Sequence, residues 1–245
     1  ASSVATSHEY FNNRMMGITM QGDLYMNATS WRTAYNPSTA ADILLHIKDN
    51  SGAIWGPAHE YGHINQYPMK FAGTTEISNN VFSNVAVFYQ GIATSRADYP
   101  SRQREIFNKN LTYLENGTWG TTRMFMQLWL YYHATGHNKK FYPRLYELLR
   151  KNPRQQSYYL NCRYDMLHFA KMCCMAAEED LTDFFTAWGF FVPLDNYFIG
   201  DYSEFYATLT QEDIDAVKRE IADMKYPKNN AMLFIDDRPG SDRQS

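Results

Sequence analysis

The sequence predicts an α+β fold that is predominantly helical, with a small sheet portion near its N-terminus. Three observations carry this. Residues 15–29 mix Met, Ile, Thr, Leu and Tyr around Gly17 and Gly22, which reads as one or two strands with a turn at Gln21-Gly22-Asp23. Most of the remaining chain repeats apolar residues at helical spacing between Gly, Pro and hydroxyl punctuation. The 245 residues, 44% of them hydrophobic, are enough for a sizeable core, as one large domain or two closely packed subdomains.

The elements follow in order. Pro37 and Ser38 open a short helix over roughly 38–48. Gly56 caps the next one, with Pro57 in its first turn, where the missing N–H would be unpaired in any case, and Pro68 ends it. Thr74 or Thr75 caps a third helix. Ile77, Val81, Val85, Phe88 and Ile92 form its core stripe, and Glu76, Asn79, Asn80 and Ser83 lie on another face. A segment begins near Ser101 and closes before Gly117; Thr121 or Thr122 caps another, stopped by Gly136. Phe141, Leu145, Leu148 and Leu149 mark the next, then Tyr164–Glu179, then Leu181–Trp188 up to Gly189. Thr210-Gln211-Glu212-Asp213 reads as a capping box with Asp in place of Glu, opening a last helix to about Met224. Residues 1–235 are expected to form one domain cut from a longer protein, with 236–245 a loose polar tail.

A net charge of −3 with no long run of one sign gives no reason to expect a nucleic-acid partner or a basic membrane-binding face. No apolar stretch approaches a membrane span, and the first seven residues lack the apolar core of a signal peptide. Three cysteines, Cys162, Cys173 and Cys174, read as buried thiols on a helix rather than as a disulfide framework.

The chemistry is concentrated in Gly56-Pro57-Ala58-His59-Glu60-Tyr61-Gly62-His63-Ile64-Asn65-Gln66, which contains H-E-x-x-H. Residues four apart on a helix sit one above the other, so the rings of His59 and His63 converge on one Zn2+. Glu60, beside them, reaches a water held by that metal. A continuing H-x-x-G-x-x-H would put Gly and His at 66 and 69, but Gln66 and Met69 stand there, so the third ligand is sought as a carboxylate. Glu76 is the first acidic residue after His63; Asp98 and Glu105 lie beyond the following helix. Asn80, one turn after Glu76, is placed to accept a hydrogen bond from the far nitrogen of a metal-bound imidazole. With three protein ligands and one open position, zinc lowers the pKa of water from about 15.7 to about 7, and Glu60 serves as general base and then acid. Tyr131, Tyr132, His133 and Tyr159 are candidates for one further donor to the carbonyl oxygen. His133 and His137, on either side of Gly136, read as residues of a helix C-terminus.

The flanking residues go further. Trp55 through Gln66, followed by Gly73-Thr74-Thr75-Glu76-Ile77-Ser78-Asn79-Asn80, resemble the enhancin-like zinc metallopeptidases, which include viral enhancins and bacterial mucin-targeting peptidases. Asn13-Arg14-Met15-Met16-Gly17, Tyr25-Met26-Asn27-Ala28-Thr29 and Glu179-Asp180-Leu181-Thr182-Asp183-Phe184-Phe185 with Trp188-Gly189 extend the likeness over roughly residues 10–190. The resemblance implies a gluzincin-like catalytic domain, zinc on His59, His63 and Glu76, and Glu60 as catalytic acid and base. It also implies endoproteolysis of mucin-type, O-glycosylated glycoproteins by a secreted or cell-surface enzyme, with carbohydrate-binding modules flanking the domain in the full-length protein.

Two other readings compete. A zinc aminopeptidase usually carries a G-x-M-E-N strand whose Glu holds the free amine; the comparable Gly22-Asp23-Leu24-Tyr25-Met26-Asn27 has no Glu before Asn27. A non-catalytic glycan- or mucin-binding module with a structural zinc would need a closed site, often with Cys, and all three Cys lie about a hundred residues downstream of the motif.

Overall fold

A computed structural model of the chain describes residues 17–22, 24–29, 32–48, 51–91, 111–115, 117–153 and 162–235. The expected helix near Ser101, Ile92, the carboxylates Asp98 and Glu105, Tyr159 and the tail from 236 lie outside these residues. Within them the molecule is mostly helical with a small N-terminal sheet, as the sequence predicts.

Three short strands make that sheet: β1 (Gly17–Met20), β2 (Met26–Ala28) and β3 (Arg32–Tyr35). The order is β1-β3-β2, with β3 parallel to β1 and antiparallel to β2. β3 was not among the expected strands. It is nevertheless the centre of the sheet, its Thr33, Ala34 and Tyr35 all buried. β1 and β2, on either side of the expected turn at residues 21–23, do not pair; β3 inserts between them.

Helix α1 (Pro37–His46) starts where Asn36 accepts a hydrogen bond from the Thr39 N–H and Pro37 occupies the first turn. Helix α2 (Ser51–Asn65) carries the H-E-x-x-H motif and begins earlier than the Gly56 cap expected from sequence. Pro57 is an interior residue. Ala53, Ile54 and Trp55 are buried ahead of it, and that burial favours an added turn and a half over the proline's preference for a first turn. Gly56 serves the sheet instead. A Cβ there would lie 2.6 Å from the Met26 side chain, so its absence lets β2 rest on α2.

Residues 71–79 form a run of turns, and α3 (Asn80–Tyr89) starts later than a cap at Thr74 or Thr75 implies. The Thr74 hydroxyl explains the delay. It accepts from the Phe71 N–H at 2.9 Å and donates to the Phe71 carbonyl at 2.6 Å, drawing local backbone groups out of a helical ladder. The Gly73 backbone, at φ +85°, adopts the left-handed conformation that glycine tolerates.

Behind these elements lies a helical layer: α4 (Gly117–Trp129), continued by a π-helical turn over Leu130–Ala134, then α5 (Phe141–Lys151), α6 (Cys162–Ala177) and α7 (Thr182–Ala187). Their apolar faces meet in an aromatic core. Phe71 lies 5.5 Å from Phe169 and Tyr113 lies 4.5 Å from Phe190, ring centre to ring centre. Cys173 and Cys174 are buried and free in α6, as expected. His133 ends the π-helical turn, and His137 lies 3.0 Å from Glu179.

Between residues 190 and 209, where no element is expected from the sequence, the chain forms an antiparallel hairpin of β4 (Leu194–Gly200) and β5 (Glu204–Leu209). Its tip, at Asp201 and Tyr202, reaches back to the turn segment at Gly73, Thr75 and Glu76. Helix α8 (Gln211–Asp223) follows, opened by the expected capping box: Thr210 accepts from the Asp213 N–H at 3.2 Å and Asp213 accepts from the Thr210 N–H at 3.0 Å. Thr210→Ala is expected to cost about 1 kcal/mol of stability, read as a lower urea midpoint with an unchanged m-value.

Candidate metal centre

Helix α2 brings His59 and His63 onto one face, their ring centres 4.7 Å apart and nearly perpendicular. Their Nε2 atoms lie 3.2 Å apart. Glu76 arrives from the turn segment, with Oε2 at 3.0 Å from His59 Nε2 and 3.5 Å from His63 Nε2. Among the described residues, these three form the one group of His, Cys, Asp or Glu side chains arranged to hold a metal ion.

The spacing fits zinc. Donors about 2.0–2.1 Å from a tetrahedral ion lie about 3.3 Å from each other, and the three separations run from 3.0 to 3.5 Å. Two imidazole nitrogens and a carboxylate oxygen aimed at one point also require positive charge at that point. Burial works to raise the Glu76 carboxyl, but hydrogen bonds from His59, His63 and Tyr202 outweigh it and hold the group well below the usual carboxylate range. Burial works to lower His59, yet its bonds to Glu76 and Asn80 raise it above the usual imidazole value.

Each donor is held from behind. His59 Nδ1 lies 2.7 Å from Asn80 Oδ1, an acceptor that fixes the proton on Nδ1 and leaves Nε2 for the metal. Asn80 is itself oriented by its Nδ2–H bond to the Glu76 carbonyl at 2.7 Å. His63 Nδ1 lies 2.8 Å from the buried Gln66 amide, which Ser78 Oγ–H meets from the other side at 2.5 Å. Gln66 Nε2 is the atom that faces the ring, and it also donates to the Thr75 carbonyl at 3.1 Å. The sequence reading used Gln66 only to exclude a histidine-ligand class; its place three residues after His63 was the available signal for this contact.

Gly62 explains how the turn segment comes so close. A Cβ at Gly62 would lie 2.4 Å from the Asn79 carbonyl oxygen, so only glycine lets residues 76–80 pack flat on α2. Asn79, fully buried, then lays its amide Nδ2 3.1 Å from the Nε2 atoms of both histidines.

Glu60 points into the same cleft and is 6% exposed. Burial pushes its carboxyl above the usual range, with the two imidazoles opposing. The cleft holds about 760 Å³. One wall is β2 with Thr29, and among the described residues β2 pairs only with β3. Tyr67 and Lys70 line the floor, and the hairpin tip from Asp201 to Ser203 closes the far side.

The candidates for a further donor need correction. Tyr132 is buried and donates to Glu179 at 2.5 Å, Tyr131 accepts from Asn229 at 3.0 Å, and His133 ends the π-helical turn; none lines the cleft. Tyr159 lies outside the described residues. The described tyrosine bonded to the donor set is Tyr202, whose hydroxyl donates to Glu76 Oε1 at 2.5 Å and whose pKa is pushed up to about 12, chiefly by that bond and then by burial. Its neighbour Asp201 accepts from the Gly73 N–H at 2.9 Å and from Thr75 Oγ1 at 2.9 Å. The exposed–buried alternation of β5 is a period-two signal that the sequence offered, but nothing local to Tyr202 shows that it meets a residue 126 positions away.

A helix presenting two histidines and a glutamate, a carboxylate from the following segment and an open cleft beneath a short sheet define a metallopeptidase of zincin-like fold. The chain belongs to the family described as peptidase M60, enhancin and enhancin-like, whose model matches residues 20–189. The chain is similar to a metallopeptidase solved in complex with Tn antigen, at 30% identity and a TM-score of 0.80, covering 88% of this chain and 42% of that one. A metallopeptidase from Bacteroides thetaiotaomicron matches at 27% identity and a TM-score of 0.81, covering 97% and 43%. The M60 catalytic domain of Clostridium perfringens ZmpB, solved with its CBM51-1 and CBM51-2 domains, shares the fold at 19% identity and a TM-score of 0.63, covering 96% and 23%. The chain thus spans less than half the length of each of these proteins. No curated protein sequence matches it significantly.

Two substitutions test this geometry. Gly62→Ala is expected to destabilise the fold by about 1–3 kcal/mol, seen as a lower thermal midpoint, and to weaken zinc binding by forcing residues 76–80 away from α2. Asn80→Ala is expected to lower zinc affinity about 10–100-fold in a competition titration against a chromophoric chelator.

Proposed function

We propose that this chain is the catalytic domain of a secreted or cell-surface zinc endopeptidase that cleaves mucin-type, O-glycosylated glycoproteins, with flanking carbohydrate-binding modules in the full-length protein. The observation that carries the reading is the convergence of His59, His63 and Glu76 on the floor of an open cleft with Glu60 beside them. Zinc bound there supplies a Lewis acid for the scissile carbonyl and makes water nucleophilic at neutral pH.

The chain's own residues do the rest. Asn80, through the proton it fixes on His59 Nδ1, keeps the His59 Nε2 lone pair directed at the metal. The raised proton affinity of Glu60 suits it to take a proton from the attacking water on a carboxylate oxygen and to return it to the departing amide nitrogen. The edge of β2 that no described strand pairs offers backbone groups to an extended peptide, which would lie across the cleft as an added strand. The cleft's other described carboxylate, Asp201, is engaged by Gly73 and Thr75 rather than posted to receive a free amine, which speaks against an aminopeptidase. A set of three protein donors, His59, His63 and Glu76, speaks against a structural zinc, which usually takes four.

The glycoprotein substrate is supported by the relative solved with Tn antigen and by the exposed cleft aromatics Tyr67 and Tyr202, whose rings suit contact with sugar faces. Glu60→Ala should retain zinc while turnover falls about 10²–10⁴-fold. The decisive experiment incubates the zinc-loaded chain with an O-glycosylated mucin fragment and with its sugar-stripped counterpart, mapping cuts by mass. Internal cleavage of the glycosylated form that chelation abolishes supports the reading. Removal of single N-terminal residues, or no cleavage of either form by zinc-loaded protein, refutes it.

A further inference from the structure

We infer that Tyr202, at the tip of the β4–β5 hairpin, is a positioning residue for the third metal donor, holding Glu76 so that a single carboxylate oxygen faces the ion. The inference rests on the metal site proposed above. Glu76 lies in a turn segment, ahead of the regular ladder of α3, so its backbone alone does not aim its side chain.

The two oxygens of Glu76 have separate tasks. Oε2 faces the histidines, at 3.0 and 3.5 Å from their Nε2 atoms. Oε1 accepts the Tyr202 hydroxyl at 2.5 Å. A carboxylate tied through one oxygen offers only the other as a donor and loses the freedom to rotate into a two-oxygen grip. A bond to an ionised acceptor is among the stronger hydrogen bonds available to a neutral phenol.

The hairpin is built to deliver that hydroxyl. Asp201 Oδ2 receives the Gly73 N–H, the Thr75 N–H and the Thr75 hydroxyl at 2.9, 3.3 and 2.9 Å, which clamps the tip to the chain immediately before Glu76. Tyr202 itself has φ +59°, a left-handed backbone disfavoured for a residue with a side chain, at a cost of about 1 kcal/mol or more. Its residue surface is 84% exposed, so core packing does not hold it there. The strained backbone and the exposed ring are both accounted for by the bond to Glu76.

The test uses the whole chain, stripped of metal, as wild type and as Tyr202→Phe, which keeps the ring and removes the hydroxyl. Zinc affinity is measured by competition with a chromophoric chelator, the cobalt-substituted protein by its visible absorption, and the metal-free protein by its thermal midpoint. The expected result is an affinity about 10–100-fold lower and an altered cobalt spectrum, with the metal-free midpoint unchanged because the ring is exposed. Wild-type affinity and spectrum in Tyr202→Phe overturn the inference while leaving the metal site intact. A matching loss of metal-free stability also overturns it, because the hydroxyl would then be supporting the fold. If the wild-type chain takes up no zinc, this inference and the proposed function fall together.

Discussion

The centre depends on one close approach, the flat contact of Gly62 in α2 with the Asn79 backbone. A methyl group at Gly62 would collide with the Asn79 carbonyl at 2.4 Å, and any shift that relieved the collision would carry Glu76 and Asn80 with it. His59 and His63 are presented by the helical repeat alone. The carboxylate and the amide behind His59 are not; they belong to a segment whose position is set where it touches Gly62. The contact converts a two-residue helix pattern into a three-donor site, and the buried Asn79 amide covering both imidazoles is its direct consequence.

Around that contact the supporting bonds come from Gln66 just past α2, from residues 78–80 and from the hairpin tip. Asn80 backs His59, Gln66 with Ser78 backs His63, and the hairpin tip backs Glu76. Each donor thus has its own brace, and none of the braces shares a side chain with another. Orientation of metal ligands by hydrogen bonds from behind is a general requirement, since an unbraced imidazole or carboxylate loses rotational entropy on binding. The C-terminus of α2 is anchored as well: the buried Tyr146 hydroxyl donates to the Asn65 carbonyl at 3.2 Å, tying the motif helix to α5.

Much of this was legible in the sequence. The motif, the absence of a third histidine and the first downstream carboxylate named His59, Glu60, His63 and Glu76, and one helical turn from Glu76 named Asn80. The helix boundaries misled, for identifiable reasons. Pro57 obeyed a local preference that the burial of Ala53, Ile54 and Trp55 overrode, and the Thr74 side chain turned inward to its own loop instead of capping a helix. The central strand β3 is only four residues long, and its short run Arg32–Tyr35 carries little alternation of its own. Tyr202 was out of reach for a different reason. Its role is a long-range contact, and a sequence with many tyrosines gives no local mark of which one returns to the metal site.

The hairpin's position along the chain has a consequence for biosynthesis. Asp201 and Tyr202 leave the ribosome more than a hundred residues after the motif helix and Glu76, beyond the stretch matched by the family model. A nascent chain therefore owns all three donors long before it owns the clamp that grips the third. Bracing of the third donor therefore waits until the hairpin has been synthesised.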